Sequence, residues 1–292
     1  MNENHELQDF LRAARGRVQP EDVGLLAAGG PVGGNAAGIG RVRRVPGLRR
    51  EEVAQLAGVS VDYYSRLEQG RTNQVSTAVL TAVARALRLN EIEREYFFAL
   101  ASPPPPPLSD QTERVPLRVR PGIHQILDGF ADSPAFVLGR GMRMLAMNRL
   151  ARLVFFDFEA VPQNERNLAR WTFLNPQARE RYVDWEVIAA GGTANLRVEA
   201  GLNPDDRALN ELIGELSVKS EDFRRLWAQH QVHQFTYGTK FLRHPEVGTL
   251  ELVHEGFDIP GTADQKLFLY TAAPGSETAD ALRLLASWSL RD

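Results

Sequence analysis

At 292 residues the chain is long enough for two domains of ordinary size, each with its own core. A composition of 43% hydrophobic and 24% charged residues excludes a mainly disordered chain, and the lack of cysteine excludes disulfides, thiolate metal sites and cysteine nucleophiles. No apolar run reaches the roughly 18 residues that span a bilayer, and the polar, acidic N-terminus lacks a secretory pattern, so no membrane partner is expected and the expected location is the cytoplasm. The net charge of −3 hides an asymmetry. Residues 41–88 carry nine arginines against four acids, whereas residues 102–292 carry 21 bases against 25 acids. A single basic segment in a mildly acidic chain marks the part that meets phosphate.

Residues 9–17 read as a short helix with Phe10, Leu11 and Ala14 on one face. The glycine-rich stretch 27–40 has no Gly-Lys-Ser/Thr after it and no strand before it, so it reads as a flexible connector rather than a phosphate loop. Four helices follow, at 49–57, 61–69, 77–87 and 91–101, punctuated by Gly58 and Gly70. These make residues 1–101 an all-α domain. Five consecutive prolines then mark a linker at 102–114, since such a run cannot continue a helix and prefers extended polyproline II. Residues 115–292 form the second domain. It begins with a helix at 123–130 and strands at 135–139 and 142–147, joined through Arg140-Gly141. Helices at 149–158, 165–174, 178–190, 205–216 and 221–230 come next, then strands at 234–243, 248–257 and 266–272 and a helix at 278–288. That order predicts an α+β domain with one antiparallel sheet and helices covering one face.

The most informative stretch is GLRREEVAQLAGVSVDYYSRLEQGR, residues 47–71. Two helices that cross closely need a small residue, and Ala54 supplies it. The turn needs a residue tolerant of left-handed backbone, and Gly58 sits there. Ser60 caps the second helix. Val59, Tyr64 and Leu67 are placed to bury against the first helix, which leaves Val61, Asp62, Tyr63, Ser65 and Arg66 facing outward near the N-terminus of the second. This is the part of a helix-turn-helix that enters the major groove. The predicted partner is double-stranded operator DNA, read by a homodimer, because one short recognition helix covers few base pairs.

Residues 47–89 resemble the lambda-repressor-like helix-turn-helix of the xenobiotic response element family. Almost the whole chain is similar to MmyB-like regulators, through PGLRREEVAQLAGVSVDYYSRLEQGR, RVRPGIHQILDGFADSPAFVLG, ERNLAR, GELSVKSEDFRRLWAQHQV, GTKFLRHPEVGTLEL and LYTAAPGSETADALRLLASW in that order. The resemblance implies that Arg49 and Arg50 face the DNA backbone, with Arg71 grouped among the phosphate contacts. It also implies a PAS-like second domain with an internal pocket for a fatty-acid-like ligand.

The second domain is rich in aromatic residues and methionine. Most of these form core, and a pocket would use a subset, taken here as Phe136, Met144, Phe155, Trp171, Phe173, Trp185, Trp227 and Phe235. Lys240, Arg243 or His244 on GTKFLRHP would receive a ligand carboxylate, although a solvated strand face also accounts for them. His230, His233, His244 and His254 show no metal-ligand spacing, and Ser217, Ser220, Asp222 and His230 have no nucleophile elbow. No catalytic residue, metal or cofactor is assigned. The alternative to a ligand sensor is the same DNA-binding half with a C-terminal dimerisation module that takes no small molecule.

Overall fold

A computed structural model describes residues 3–25, 47–72, 75–102, 118–230, 236–262 and 264–288. The glycine-rich stretch 27–40, the proline linker from residue 103 onward, His233 and Phe235 lie outside them. The chain divides into two compact units, the first carrying the N-terminal helices and the second the sheet with the later helices.

The first unit contains α1 (Glu3–Arg17), α2 (Arg50–Ala57), α3 (Val61–Glu68), α4 (Thr77–Ala86) and α5 (Glu91–Ala101). α1 begins before the predicted 9–17 because its apolar face reaches back to Leu7, 5% exposed. Caps set the other boundaries, since the first N–H groups of a helix have no internal partner. Arg49 precedes α2 and its backbone N–H donates to Glu52 Oε2 at 2.6 Å. Ser60 Oγ accepts from the Tyr63 N–H at 3.1 Å, and Asn90 and Glu93 cap α5 reciprocally. Gly58, at φ 67°, ends α2 and turns the chain into α3. The core is Leu11, Leu48, Val53, Tyr64, Leu80, Val83, Leu87 and Phe97, with Phe10 edge-on to Tyr96 at 5.3 Å.

A buried ion cluster lies inside this core. The carboxylate of Glu68, at the end of α3, is fully buried and meets Arg50 Nε at 2.7 Å and Arg15 Nη2 at 3.3 Å. Arg15 also donates to the Leu48 carbonyl at 2.7 Å. The three side chains tie α1, α2 and α3 together. Tyr64, buried beside them, has its phenol pKa pushed up, first by desolvation and then by the Glu68 charge.

The second unit holds β1 (Ala135–Gly139), β2 (Arg143–Met147), β3 (Tyr237–His244), β4 (Gly248–Asp258) and β5 (Lys266–Thr271) in one five-stranded antiparallel sheet, order β2-β1-β5-β4-β3. Its helices are α6 (Pro121–Gly129), α7 (Arg149–Val154), α8 (Leu168–Leu174), α9 (Pro176–Arg181), α10 (Trp185–Leu202), α11 (Arg207–Lys219), α12 (Glu221–Trp227) and α13 (Glu277–Trp288). The inner face of the sheet, with Phe136, Leu138, Met144, Leu242, Leu250, Leu252 and Tyr270, packs against side chains of α7, α8, α10, α12 and α13. Helices also reach the other face. Leu127 and Ile123 of α6, with Val119 and Ile259, cover Ala135, Val137 and Ala146 on the β2–β1–β5 half. Asn148 locks that corner. Its Oδ1 accepts from the Ala135 and Ala151 N–H groups, and its Nδ2 donates to Phe130 and Ser133 carbonyls at 2.9 and 2.8 Å.

The predicted helix 178–190 is two helices. Between α9 and α10, Tyr182 forms a bridge to Leu242 and Val183 N–H donates to the Phe241 carbonyl at 3.0 Å, so this stretch is pulled out to close the edge of β3. Arg166 and Asn167 do the same for β2. α10 then runs through Gly191-Gly192 to Leu202, well past the predicted stop. Burial of Ala189, Thr193, Ala194, Leu196 and Val198 outweighs the low helix propensity of the glycines, which costs about 1 kcal/mol each.

Two glycines predict different costs. Gly58→Ala introduces only left-handed strain, about 1–2 kcal/mol, because nothing lies within 4 Å of the added Cβ. Gly47, at φ 77°, would place a Cβ 2.3 Å from the Arg15 carbonyl oxygen, a backbone atom that cannot swing away. Thermal unfolding of Gly47→Ala and Gly58→Ala should therefore show the larger loss for Gly47. Glu68→Gln leaves two arginines around a neutral amide, and denaturant unfolding should show a loss of about 3–5 kcal/mol, as for a broken buried pair.

Candidate DNA-reading helix and ligand-binding interior

α2 and α3 build the candidate DNA-reading surface. Ala54 is fully buried at their crossing, and Tyr64 and Leu67 bury against α2. α3 presents Val61 (42% exposed), Asp62 and Arg66 to solvent, with Tyr63 and Ser65 half-buried between them. Ser60 performs the predicted cap. Arg66 Nε meets Asp62 at 3.3 Å across one turn, with both side chains more than half exposed. Such exposed pairs are worth only about 0.3–0.5 kcal/mol, so Arg66 can exchange its partner readily. Arg71 is exposed just after Gly70, at φ 65°, and Arg49 sits at the start of α2.

Arg50 has a partner within the fold. Its guanidinium is directed to Glu68, and that hydrogen bond raises its pKa against the opposing effect of burial. The side chain expected to face the DNA backbone thus also holds α3 onto α2.

The second unit brings five of the predicted ligand residues to one interior. Phe136 and Met144 point in from the sheet, and Phe155, Trp171 and Trp185 meet them from the helical side, all under 9% exposed. The rings pack edge-on or tilted: Phe136 to Phe155 at 5.6 Å, Phe155 to Tyr270 at 4.7 Å and Trp171 to Tyr182 at 5.5 Å. Phe173 bridges to a second cluster through Phe223 at 5.1 Å. Trp227 belongs to that second cluster, stacked on Phe223 and under the guanidinium of Arg197 at 4.1 Å. It is not brought to the sheet interior.

The bases of β3 separate by strand alternation. Lys240 points inward, where its Nζ donates to the Tyr270 hydroxyl at 2.9 Å. Arg243 lies on the opposite, exposed face, so it does not share a site with Lys240. His244 has both ring nitrogens engaged, with Nε2 on the Leu153 carbonyl at 3.1 Å and Nδ1 accepting from the Glu246 N–H at 3.2 Å. It joins β3 to α7 as a neutral ring, and burial keeps its pKa low.

Sequence reading assigns no role to Tyr182 or Tyr270 and weighs His254 only as a metal ligand, yet all three lie in this interior, each no more than 3% exposed. His254 stacks on Tyr270 at 5.4 Å. Burial pushes both tyrosine phenols up, and the proximity of Tyr182 adds to the effect on Tyr270. Trp171 Nε1 is a buried donor without an acceptor among the described residues. Lys240 is desolvated, which lowers its pKa to about 8. No carboxylate among the described residues forms an ion pair with it. Register was the available signal, since period-2 alternation puts Lys240 and Leu242 on one face with Leu252 and His254.

Two of the polar residues considered for nucleophilic chemistry, Ser220 and Asp222, have structural partners. Ser220 caps α12 by accepting from the Phe223 N–H at 3.2 Å, and Asp222 pairs with Arg179 and Arg225. Among the described residues no three His, Asp or Glu side chains converge as a metal site, and no helix is long and apolar enough to cross a membrane.

Comparison with known families agrees with this division of the chain. A family described as Helix-turn-helix domain matches residues 6–97, and the family described as MmyB-like transcription regulator ligand binding domain matches residues 119–285. No curated protein matches the chain. The second match alone covers more than half of the sequence, and the chain belongs to the MmyB-like transcription regulators, with a DNA-binding helix-turn-helix domain and a ligand-binding domain.

Proposed function

We propose that this regulator acts in the cytoplasm as a homodimer on a two-part operator, and that its second unit, a PAS-like sensor, binds a fatty-acid-like monoanion with its acyl chain among the inner rings. In this reading Arg66, with Val61, Asp62, Tyr63 and Ser65 around it, meets base edges. Arg49 and Arg71 meet phosphates, with the Ser60 end of α3 entering the groove. Arg50 contributes by fixing the helix through Glu68.

The observation that carries the ligand reading is Lys240. A cation on the inner face of a sheet, among aromatic rings and without an ion-pair partner among the described residues, carries a desolvation cost that an incoming anion would offset. A carboxylate placed there would also accept from the Tyr270 hydroxyl. Phe136, Met144, Phe155, Trp171, Trp185 and Phe173 would line the chain, each buried methylene contributing about 0.8 kcal/mol. Binding changes DNA affinity only to the extent that the ligand prefers one dimer geometry over another.

Native mass spectrometry of the purified protein should retain an apolar acid. If solvent extraction yields none, and added fatty acids alter neither Tm nor operator affinity, the second unit is a dimerisation module.

On DNA, Arg66→Ala should cost about 1–3 kcal/mol and relax sequence preference. Arg49→Ala should weaken all sequences alike and make the log-affinity against log-salt slope shallower by about one. Unchanged operator preference in Arg66→Ala would remove Arg66 from the reading helix.

The ligand site predicts a pH dependence of definite sign. The folded pKa of Lys240, about 8, lies below the ordinary 10.5, so the unfolded chain holds more protons between these values and unliganded stability rises with pH across that window. A carboxylate binds the protonated amine, so its affinity should be level below pH 8 and fall by about tenfold per unit above it. Lys240→Met should abolish both effects while keeping the fold, which calorimetric titration and melting curves over pH 6–10 (about two units on either side of the transition) would check.

A further inference from the structure

α6 covers only the β2–β1–β5 half of the outer sheet face. On the other half, β3 and β4 turn Tyr237, Phe241, Val253 and Phe257 outward at 73%, 38%, 41% and 50% exposure. Scattered apolar residues on a surface need no explanation, but four on adjacent strands of one sheet form a contiguous patch, and such patches mark interaction sites. The edge of β3 is already met by Tyr182 and Val183, so the face rather than the edge is what remains open there.

Charge says what fits this face. The register sets Tyr237 opposite Glu255, Thr239 opposite Val253, Phe241 opposite Glu251 and Arg243 opposite Thr249. The patch therefore has a centre of Phe241 and Val253 interrupted by Glu251, with a cation, Arg243, at one end and an anion, Glu255, at the other. A two-fold axis lying across the strands at the level between Thr239 and Phe241 exchanges these ends. It lays the Arg243 end of one copy on the Tyr237–Glu255 end of the other, twice per pair, with Phe241 and Val253 buried at the middle. An isologous interface requires such self-complementarity. Two sheets packed face to face at about 10 Å give it enough depth for interleaved side chains.

We infer that the outer face of β3 and β4 is the docking surface for a second copy of this chain, held by an apolar centre and two Arg243–Glu255 contacts. This rests on the reading above that the regulator works as a symmetric pair, and adds where the pair forms. It also gives Arg243 a use that its outward direction denied it as a ligand base. Glu251, opposite Phe241 near the centre, meets no cation in this arrangement and opposes the association.

Sedimentation equilibrium of the full chain tests the assignment, with circular dichroism confirming that each exposed-site variant is folded. Arg243→Glu and Glu255→Arg should each weaken the dimer by about tenfold or more, and the double reversal should recover most of that loss. Glu251→Gln should tighten it. A dimer that both single reversals leave undiminished would overturn the assignment of this face while leaving the symmetric-pair reading intact. Single losses that the double reversal does not recover would overturn the antiparallel pairing. A wild-type chain that sediments as a monomer both free and on operator DNA would overturn both.

Discussion

A charge taken out of water must be answered, and the two units of this protein answer it in opposite ways. In the first unit the answer is internal. Glu68 is fully buried and its two oxygens meet two arginines from two other helices. Because Glu68 closes α3, the pairing fixes how the DNA-reading helix lies on its neighbours before any nucleic acid is present. In the second unit Lys240 is desolvated on the inner sheet face and finds only the Tyr270 hydroxyl. A neutral hydroxyl orients an ammonium but does not neutralise it, and in the proposed reading an anionic ligand would do so. The buried carboxylate of Glu68 has its partners within the fold, whereas the half-buried amine of Lys240 has a neutral one.

The sheet turns this local chemistry into architecture. Successive residues of a strand face opposite sides, so β3 carries the interior base Lys240 and the surface residues Phe241 and Arg243 within four positions. Both edges are met by irregular chain, Arg166–Asn167 at β2 and Tyr182–Val183 at β3, which protects them from adding further strands there. With helices over one face and α6 over half of the other, the outer surface of β3 and β4 is the apolar part of the sheet still in contact with water.

The elements that sequence reading placed well are those whose signals are local. Gly58 and Ser60, two residues apart, define the turn and the cap of α3, and the order of two strands, a helical middle and three strands needs only hydrophobic periodicity and breakers. What escaped depends on contacts distant in sequence. The Arg15–Glu68 bond joins residues 53 apart and Lys240–Tyr270 joins residues 30 apart. The helix expected at 178–190 runs on through Gly191-Gly192 to Leu202 because the burial that carries α10 past their low propensity is tertiary. Lys240 and Arg243 stand as alternatives in the sequence, and strand alternation places the first on the inner face and the second on the solvent face. Trp227 was grouped by composition with rings that the fold assigns to another cluster.

The position of Tyr182 suggests how an occupied interior would be felt outside. Its ring lies against Trp171, and its backbone bridges to Leu242 beside Lys240. The next residue, Val183, donates to the carbonyl of Phe241, whose side chain is on the outer patch. In the proposed reading, a ligand that moved Trp171 and Tyr182 to make room for its chain would therefore pull on the backbone of β3 at the same residues that shape the outer face. Close-packed interiors pass such displacements on rather than absorb them. If both proposals hold, the strand would be the shared element that an interior anion and a surface partner both bias, which is the physical requirement for coupling two sites.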